Sequence, residues 1–212
     1  MRNMNELSPI ELTRLNVEIE NQIDSNGDLR PRPGKDSALL VVSHHATGYA
    51  TFFRHDLPPG IRRQIAALPP EVALDDHQAV CQILAQHTPC DDVFAGRGYY
   101  FARPPSQETF PDALFQNGCY VILVNGTPVS WAWTADQSKR AAELAVETDA
   151  NHRRCGYARQ VAAAWANHVI GEGKVAFYSY ERSNVASAAL AQCLGVVHYA
   201  VVTTYESRTA PG

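Results

Sequence analysis

The segment at residues 141–170, AAELAVETDANHRRCGYARQVAAAWANHVI, constrains the fold of this chain more than any other. It begins with a run typical of a strand, continues through a polar turn and ends in a long helical pattern. The turn places Arg153, Arg154 and Gly156 at the start of the helix. A helix start carries backbone N–H groups without intrahelical partners and the positive end of the helix dipole. The segment therefore predicts a site for a phosphate or pyrophosphate group.

The residues from 119 onward predict an α/β layout. Two strands flank Asn125-Gly126, a dipeptide that suits a type I′ hairpin turn because both central residues need positive φ. A third strand covers 141–148, and the helix that follows Gly156 ends before the glycines at 171 and 173. A strand at 174–180, a helix from Asn184 to about Gly195 and a final strand at 196–206 complete the order β-β-β-α-β-α-β.

The amino-terminal half predicts a mixture of helices and strands. Residues 8–23 have the spacing of an amphipathic helix, and 25–37 form a turn and connector rich in proline and glycine. The runs 38–45 and 49–56 predict a hairpin. We expect a helix from Pro58-Pro59 to Leu68, closed by Pro69-Pro70, a further helix over 74–86, and a strand or loop from Gly96.

The composition is that of an ordinary globular protein, with 45% apolar and 19% charged residues in 212. A net charge of −4 argues against nucleic acid as the main partner. No apolar run approaches the roughly 20 residues of a membrane span, and the start, MRNMNELSPIEL, has no apolar core, so we expect no signal peptide. The odd number and wide spacing of the cysteines favour a reduced, cytoplasmic protein without structural disulfides or zinc. They are Cys81, Cys90, Cys119, Cys155 and Cys193.

Two motifs carry a resemblance to a known family. The pattern Arg153-x-x-Gly156-x-Ala158 resembles the (Gln/Arg)-x-x-Gly-x-(Gly/Ala) signature of the GNAT acyltransferase superfamily. Downstream, a segment resembles the Asn-x-x-(Ala/Ser)…Leu-Gly motif of that family, at Asn184, Ser187, Leu194 and Gly195. The resemblance covers about the last hundred residues, and FRHDLPPGIRRQIAAL at 53–68 is similar to a leader seen in some actinobacterial-type GNAT proteins.

The resemblance implies a GNAT-like mixed central sheet flanked by helices and a transfer of acetyl from acetyl-CoA to a primary amine, directly through a tetrahedral intermediate. It also implies a division into an amino-terminal α/β half, 1–112, for the acceptor pocket or dimerisation, and a cofactor-binding core, 113–212. The backbone near Thr148 would pair with the pantetheine arm, and the loop from Arg153 would hold the pyrophosphate. The implied cofactor-binding residues are Val146, Thr148, Arg153, Arg154, Cys155, Gly156, Tyr157, Ala158, Asn184 and Ser187.

The catalytic groups follow less directly from the family pattern. Glu147 and Glu143 share one strand face by the period of two, and either could take the proton of the amine, with Glu147 as our candidate. Many GNAT members carry a tyrosine in the last helix as the acid for the departing thiolate, but the matching position here is Ala191. Tyr199, in the following strand, is the candidate substitute. Thr148 and Asp149 replace the usual apolar-x-Pro passage into the turn.

Other interpretations of these residues stay open. The arginines could be solvated surface charges, and Asn184 suits a helix N-cap as well as a ligand group. Trp131 and Trp133 alternate on one strand face and fit either a hydrophobic core or an acceptor pocket. We expect no metal, because adjacent histidines on a strand point to opposite faces. Besides an enzyme acting on a small-molecule or protein amine, the chain could be a catalytically silent acyl-CoA-binding or regulatory module, or a structural domain; we expect no membrane partner, and a homodimer is open.

Overall fold

The protein is described here by a computed structural model that covers residues 7–207. The elements, in chain order, are α1 (Pro9–Glu20), β1 (Gln22–Ile23), β2 (Leu29–Arg30), β3 (Leu40–His45), β4 (Gly48–Phe53), α2 (Pro59–Ala66), α3 (Pro70–Asp75), α4 (His77–Leu84), β5 (Asp92–Tyr100), β6 (Leu114–Gln116), β7 (Cys119–Val124), β8 (Thr127–Gln137), β9 (Ala141–Thr148), α5 (Tyr157–Gly171), β10 (Val175–Glu181), α6 (Val185–Leu194) and β11 (Val197–Glu206). The order predicted from residue 119 onward is confirmed.

These residues divide into two compact units. The amino-terminal unit comprises 9–97 and 199–207, and the carboxy-terminal unit comprises 7–8 and 98–198. Strands β5 and β11 each contribute residues to both units. This structural division differs from the predicted one of 1–112 and 113–212. Within 7–207, no helix combines the length and the apolar character needed to cross a bilayer. The expected absence of a signal peptide concerns a segment whose first six residues lie outside the described part of the chain.

The amino-terminal unit is built on strands in the order β4-β3-β11-β5. Strand β3 pairs antiparallel with both β4 and β11, so the predicted hairpin of β3 and β4 is confirmed. Two buried side chains of β11 connect this sheet to α3: the Tyr205 hydroxyl donates to the carbonyl of Ala73 at 2.8 Å, and the Thr203 hydroxyl donates to that of Leu74 at 2.7 Å. Both residues are fully buried, so these bonds form in a water-excluded core.

The helix predicted at 74–86 is wrong in its extent. Pro70 begins α3 instead of closing the preceding helix, and Asp76 separates α3 from α4. The backbone of Asp76 is not helical, with φ −90° and ψ 77°, and its carboxylate accepts from the N–H of Ala79 at 3.0 Å. Asp76 is therefore the N-cap of a new helix, a role that aspartate prefers.

The first helix is also shorter than predicted. It ends at Glu20 because Asn21 turns its side chain to the backbone: the Asn21 amide donates to the carbonyl of Val17 at 3.2 Å and its oxygen accepts from Ala38 at 3.0 Å. The connector that follows contains the short antiparallel pair of β1 and β2. The strand suggested from Gly96 begins earlier, at Asp92.

The carboxy-terminal unit has strands in the order β5-β10-β9-β8-β7-β6. Asn125 and Gly126 have φ of 52° and 78°, which confirms the predicted turn between β7 and β8. Asn117 and Gly118 repeat this pattern, with φ of 50° and 81°, in a hairpin of β6 and β7 that the sequence analysis did not identify. Helix α5 packs on β7, β8 and β9 and buries a run of small residues, 162–164 and 166, that brings the helix close to the sheet.

We predict that Tyr205→Phe lowers the free energy of unfolding by about 1–2 kcal/mol, because the carbonyl of Ala73 loses its buried donor. Urea-induced unfolding of the purified chain measures this. The control is Tyr49→Phe, which removes a hydroxyl from a tyrosine that is 40% exposed and is expected to change stability by less than about 0.5 kcal/mol. Equal stability of the two variants would contradict the role given to the Tyr205 hydroxyl.

Candidate functional site

Gly156 stands immediately before α5 in a left-handed conformation, with φ 81° and ψ 0°. It supplies no side-chain hydrogen bond to the helix, so the N–H groups of the first turn lack the usual cap. A Cβ built at Gly156 would meet no protein atom within 4 Å. The positive φ, and not a lack of space, is therefore the reason that the protein needs glycine at this position. The space next to Gly156 is open to a ligand.

The loop that leads to this helix is held by Asp149. Its carboxylate accepts from the N–H of Asn151 at 2.9 Å and from His152 at 3.4 Å, around a 3-10 turn at Ala150–His152. The hydrogen bond from the Asn151 N–H, and to a smaller extent the one from His152, holds the pKa of the Asp149 carboxyl below its usual range. Asp149 thus shapes the loop between β9 and α5.

The basic residues of the loop are exposed. Arg153 directs its Nε toward the carbonyl of Thr148 at 3.5 Å, and Arg154 takes a left-handed conformation with φ 62°. The exposed Cys155 thiol lies 3.6 Å from the carbonyl of Arg153. Tyr157 and Ala158 are partly buried in the first turn of α5. The structure therefore brings together, at one helix start, the residues predicted to hold a pyrophosphate.

The edge of β9 beside this helix start is open. Strands β9 and β10 are parallel, and their pairing ends at Glu143 and Phe177. Beyond that point the backbone of β9 alternates in direction: the carbonyl of Glu147 accepts from Ser130, and the N–H of Asp149 donates to Val129, both on the β8 side. By this alternation, the N–H and carbonyl groups of 144, 146 and 148 point toward the side of β10. Val146 and Thr148 thus lie on an edge of β9 that has no neighbouring strand.

The inner end of this open edge is closed by Glu143. Its carboxylate accepts from the N–H of Ser179 at 2.6 Å, across the point at which β9 and β10 separate. A charge-assisted bond to a backbone N–H is among the stronger protein hydrogen bonds. Glu143 is therefore engaged in the structure and is a poor candidate for the base.

Glu147 lies on the sheet face opposite α5. It pairs across the strands with Trp131, as Ala145 pairs with Trp133, so these four side chains share one face. Helix α5 packs on the other face, which carries Ala132 and Leu144. Glu147 is exposed, and both tryptophans are half-buried. This face therefore lies away from α5 and leaves the Glu147 carboxylate accessible.

The second motif forms the start of α6. The side chain of Asn184 accepts from the N–H of Ser187 at 3.0 Å, so Asn184 is an N-cap, as the sequence allowed. Ser187 is half-buried in the first turn. Ala191, one turn later, is only 3% exposed and belongs to the core between α5 and the sheet.

Tyr199 lies in the amino-terminal unit, whereas the other predicted site residues lie in the carboxy-terminal unit. It is 4% exposed and shares a strand face with Thr203 and Tyr205, which bond to α3. Its role as an acid stays a prediction.

No cluster of three or more potential metal ligands is present within residues 7–207. Of the adjacent histidines, His44 stacks on Tyr49 with ring centroids 4.4 Å apart, and His45 is buried with its Nδ1 3.0 Å from the Thr47 hydroxyl. The sequence analysis missed two groups near the open edge, the Glu143–Ser179 bond and the buried Tyr178. Recognition of β9 and β10 as a parallel pair, each followed by a helix, would have pointed to both.

Residues 108–206 match the family model of GNAT acetyltransferases. Among solved structures, an acetyltransferase from the GNAT family from Colwellia psychrerythraea is 11% identical, covers 88% of this chain and 80% of its own, and has a TM-score of 0.50. This match confirms the predicted fold class. An acetyltransferase from the GNAT family from Novosphingobium aromaticivorans is 17% identical, and the match covers 56% of this chain and 68% of that protein, with a TM-score of 0.47. A GCN5-related N-acetyltransferase-like protein from Streptococcus suis is 16% identical, and the match covers 80% of this chain and 84% of that protein, with a TM-score of 0.45. No curated protein matches the sequence.

We predict that Gly156→Ala lowers the free energy of unfolding by about 1–2 kcal/mol, because an L-residue is strained at φ 81°. Gly60→Ala is the matched control: this glycine lies in α2 with open space around it and no positive φ, so the same change should stabilise the protein by up to about 1 kcal/mol. The two variants are compared by chemical denaturation. Stabilisation by both substitutions would disprove the left-handed conformation at Gly156.

Proposed function

We propose that this chain, which belongs to the GNAT superfamily through residues 108–206, is an N-acyltransferase that transfers the acetyl group of acetyl-CoA to a primary amine. The observation that carries the proposal is the position of the α5 start beside the open edge of β9. The first offers N–H groups to an anion, and the second offers N–H and carbonyl groups to an extended chain. Acetyl-CoA combines a pyrophosphate with an extended pantetheine arm that contains amides.

The residues fit this donor in a definite order along the site. The first turn of α5, with the space above Gly156, would hold the pyrophosphate, and Arg153 would add charge. The backbone groups of Val146 and Thr148 would pair with the pantetheine arm, over a strand rise of about 13 Å from residue 144 to residue 148. Asn184 and Ser187 lie at the start of α6, which follows β10.

Acetyl-CoA would supply an acyl group already activated as a thioester, so the protein mainly positions the two substrates and manages one proton. An aliphatic amine has a pKa of about 10.4 and is mostly protonated at neutral pH. Glu147, exposed on the face shared with Trp131, is the residue that would accept the proton, directly or through water. The neutral amine would then attack the thioester carbonyl to give a tetrahedral intermediate. Cleavage of its carbon–sulfur bond would leave the amide and the CoA thiolate, and the thiolate would take up the remaining proton of the attacking nitrogen, directly or through water.

The acceptor is proposed as a small-molecule or protein amine. The half-buried indoles of Trp131 and Trp133 and the carboxylate of Glu147 lie on one face, and aromatic rings and a carboxylate both attract an ammonium group. Nucleic acid and membrane partners are not part of the proposal, and homodimerisation and a cytoplasmic location stay predictions from the sequence.

A catalytically silent acyl-CoA-binding module is the second candidate. The observation in its favour is Ala191, which occupies the position of the family tyrosine and is enclosed in the core. The two functions share the donor site and differ in turnover. Release of free CoA thiol from acetyl-CoA in the presence of a panel of amines separates them.

We predict that CoA at about 100 times its dissociation constant stabilises the protein by roughly 2.7 kcal/mol, seen as a rise in melting temperature. Arg153→Ala should weaken CoA binding by about 10- to 100-fold, because a charge-assisted hydrogen bond to phosphate is lost. Arg63→Ala is the control, since Arg63 is an exposed arginine of α2. Absence of any shift in the wild type at millimolar CoA would refute the proposed function.

We predict that Glu147→Gln lowers kcat by about 100-fold or more near neutral pH, because the amine loses its proton acceptor. The defect should shrink as pH rises toward the pKa of the amine, where solvent supplies more of the neutral form, by about tenfold per pH unit. Steady-state rates between about pH 6 and 9 measure this. Glu108→Gln, at an exposed glutamate of the 3-10 turn Gln107–Thr109, serves as the control. A defect independent of pH would exclude Glu147 as the base.

A further inference from the structure

Tyr178 presents a buried hydroxyl that the fold of the chain does not use. The residue is 3% exposed, and its phenolic oxygen has no hydrogen-bond partner among the described residues. Buried polar groups in native proteins are nearly always paired, so an unpaired one requires an explanation. Tyr178 is also the first residue of β10 after the last pair with β9, at the point where the strands separate.

The hydroxyl of Ser187, in the first turn of α6, lies near this phenol. It is close enough to influence the phenol but does not complete a hydrogen bond with it. Burial raises the pKa of the Tyr178 phenol, the Ser187 hydroxyl opposes this shift, and the Glu143 carboxylate adds to it. The phenol therefore keeps its proton at neutral pH and is available as a neutral donor.

Ser187 is placed to connect this phenol with a ligand. It is half-buried, whereas the Tyr178 oxygen is enclosed. The backbone N–H of Ser187 already donates to the side chain of Asn184. The Ser187 hydroxyl is therefore the group of this residue that can donate a hydrogen bond to a ligand. Because β9 and β10 are parallel, the helices that follow them, α5 and α6, begin at the same edge of the sheet.

We propose that Tyr178 and Ser187 form a hydrogen-bonded pair that recognises an amide carbonyl of the pantetheine arm. Ser187 donates its hydroxyl proton to the carbonyl and accepts the proton of the Tyr178 phenol. The inference rests on the proposed function, because it assigns a residue pair to part of the acyl donor. Tyr178 is thus a positioning residue: it fixes the rotation of the Ser187 hydroxyl, and it pairs when the cofactor is bound. A neutral donor pair suits a neutral amide, while the phosphates lie at the start of α5.

The test compares two ligands by isothermal titration calorimetry. CoA contains the pantetheine arm, and adenosine 3′,5′-bisphosphate lacks it. Tyr178→Phe keeps the ring and should raise the dissociation constant of CoA by about 3- to 10-fold while leaving that of the bisphosphate unchanged. Ser187→Ala should have the same selective effect. The double variant Tyr178→Phe/Ser187→Ala should have a dissociation constant for CoA no higher than that of the single variant that binds CoA more weakly, because the two groups act as one unit.

Tyr180→Phe is the matched control. Tyr180 lies two residues further along the same strand face, and its hydroxyl already donates to Tyr99 at 3.1 Å. We expect its dissociation constant for CoA to stay within twofold of the wild type. An equal loss in Tyr180→Phe, an equal loss for both ligands in Tyr178→Phe, or additive losses in the double variant would overturn the inference. Unchanged CoA binding in Tyr178→Phe would overturn the inference and leave the proposed function intact. A wild type that binds no CoA would overturn both the inference and the proposed function.

Discussion

The separation of β9 and β10 after Glu143 and Phe177 is the constraint on which the carboxy-terminal unit depends. Two parallel strands that part leave backbone N–H and carbonyl groups exposed on both inner edges, and such groups are costly if they stay unpaired away from water. The chain satisfies some of them itself, since the Glu143 carboxylate accepts from the N–H of Ser179 and the Thr148 carbonyl accepts from Arg153. The others face a gap that leads to the starts of α5 and α6, so the same geometry that exposes the strand also supplies donors for anions.

The parts of the site that could be predicted from the sequence are those that depend on local signals. Local signals located the elements well: Asn125-Gly126 favours a particular turn, Gly156 marks the start of α5, and Asn184 is a helix cap. Each depends on the conformational preference of one or two residues. The predicted bounds of β9, 141–148, agree with the structure.

Features that depend on partners distant in the sequence could not be predicted in the same way. The bond between Glu143 and Ser179 joins residues 36 positions apart, and it changes the interpretation of a glutamate that the strand period alone made equivalent to Glu147. Tyr199 was assigned by proximity in the sequence to α6, but its strand face is shared with residues that bond to α3. Asp76 ended a helix because its side chain caps the next one, a competition that apolar periodicity does not register.

The same dependence on distant partners links Ala191 to the tyrosines of β10. Ala191, Tyr178 and Tyr180 belong to one hydrophobic core cluster, so a tyrosine at position 191 would compete for volume with side chains already packed in that cluster. A larger residue at 191 would require a smaller one on β10, because overpacking a core destabilises it. Ala191 and the buried phenol of Tyr178 therefore lie in the same core cluster of the carboxy-terminal unit. The phenol in this cluster is the one that the Ser187 hydroxyl influences, from the first turn of α6.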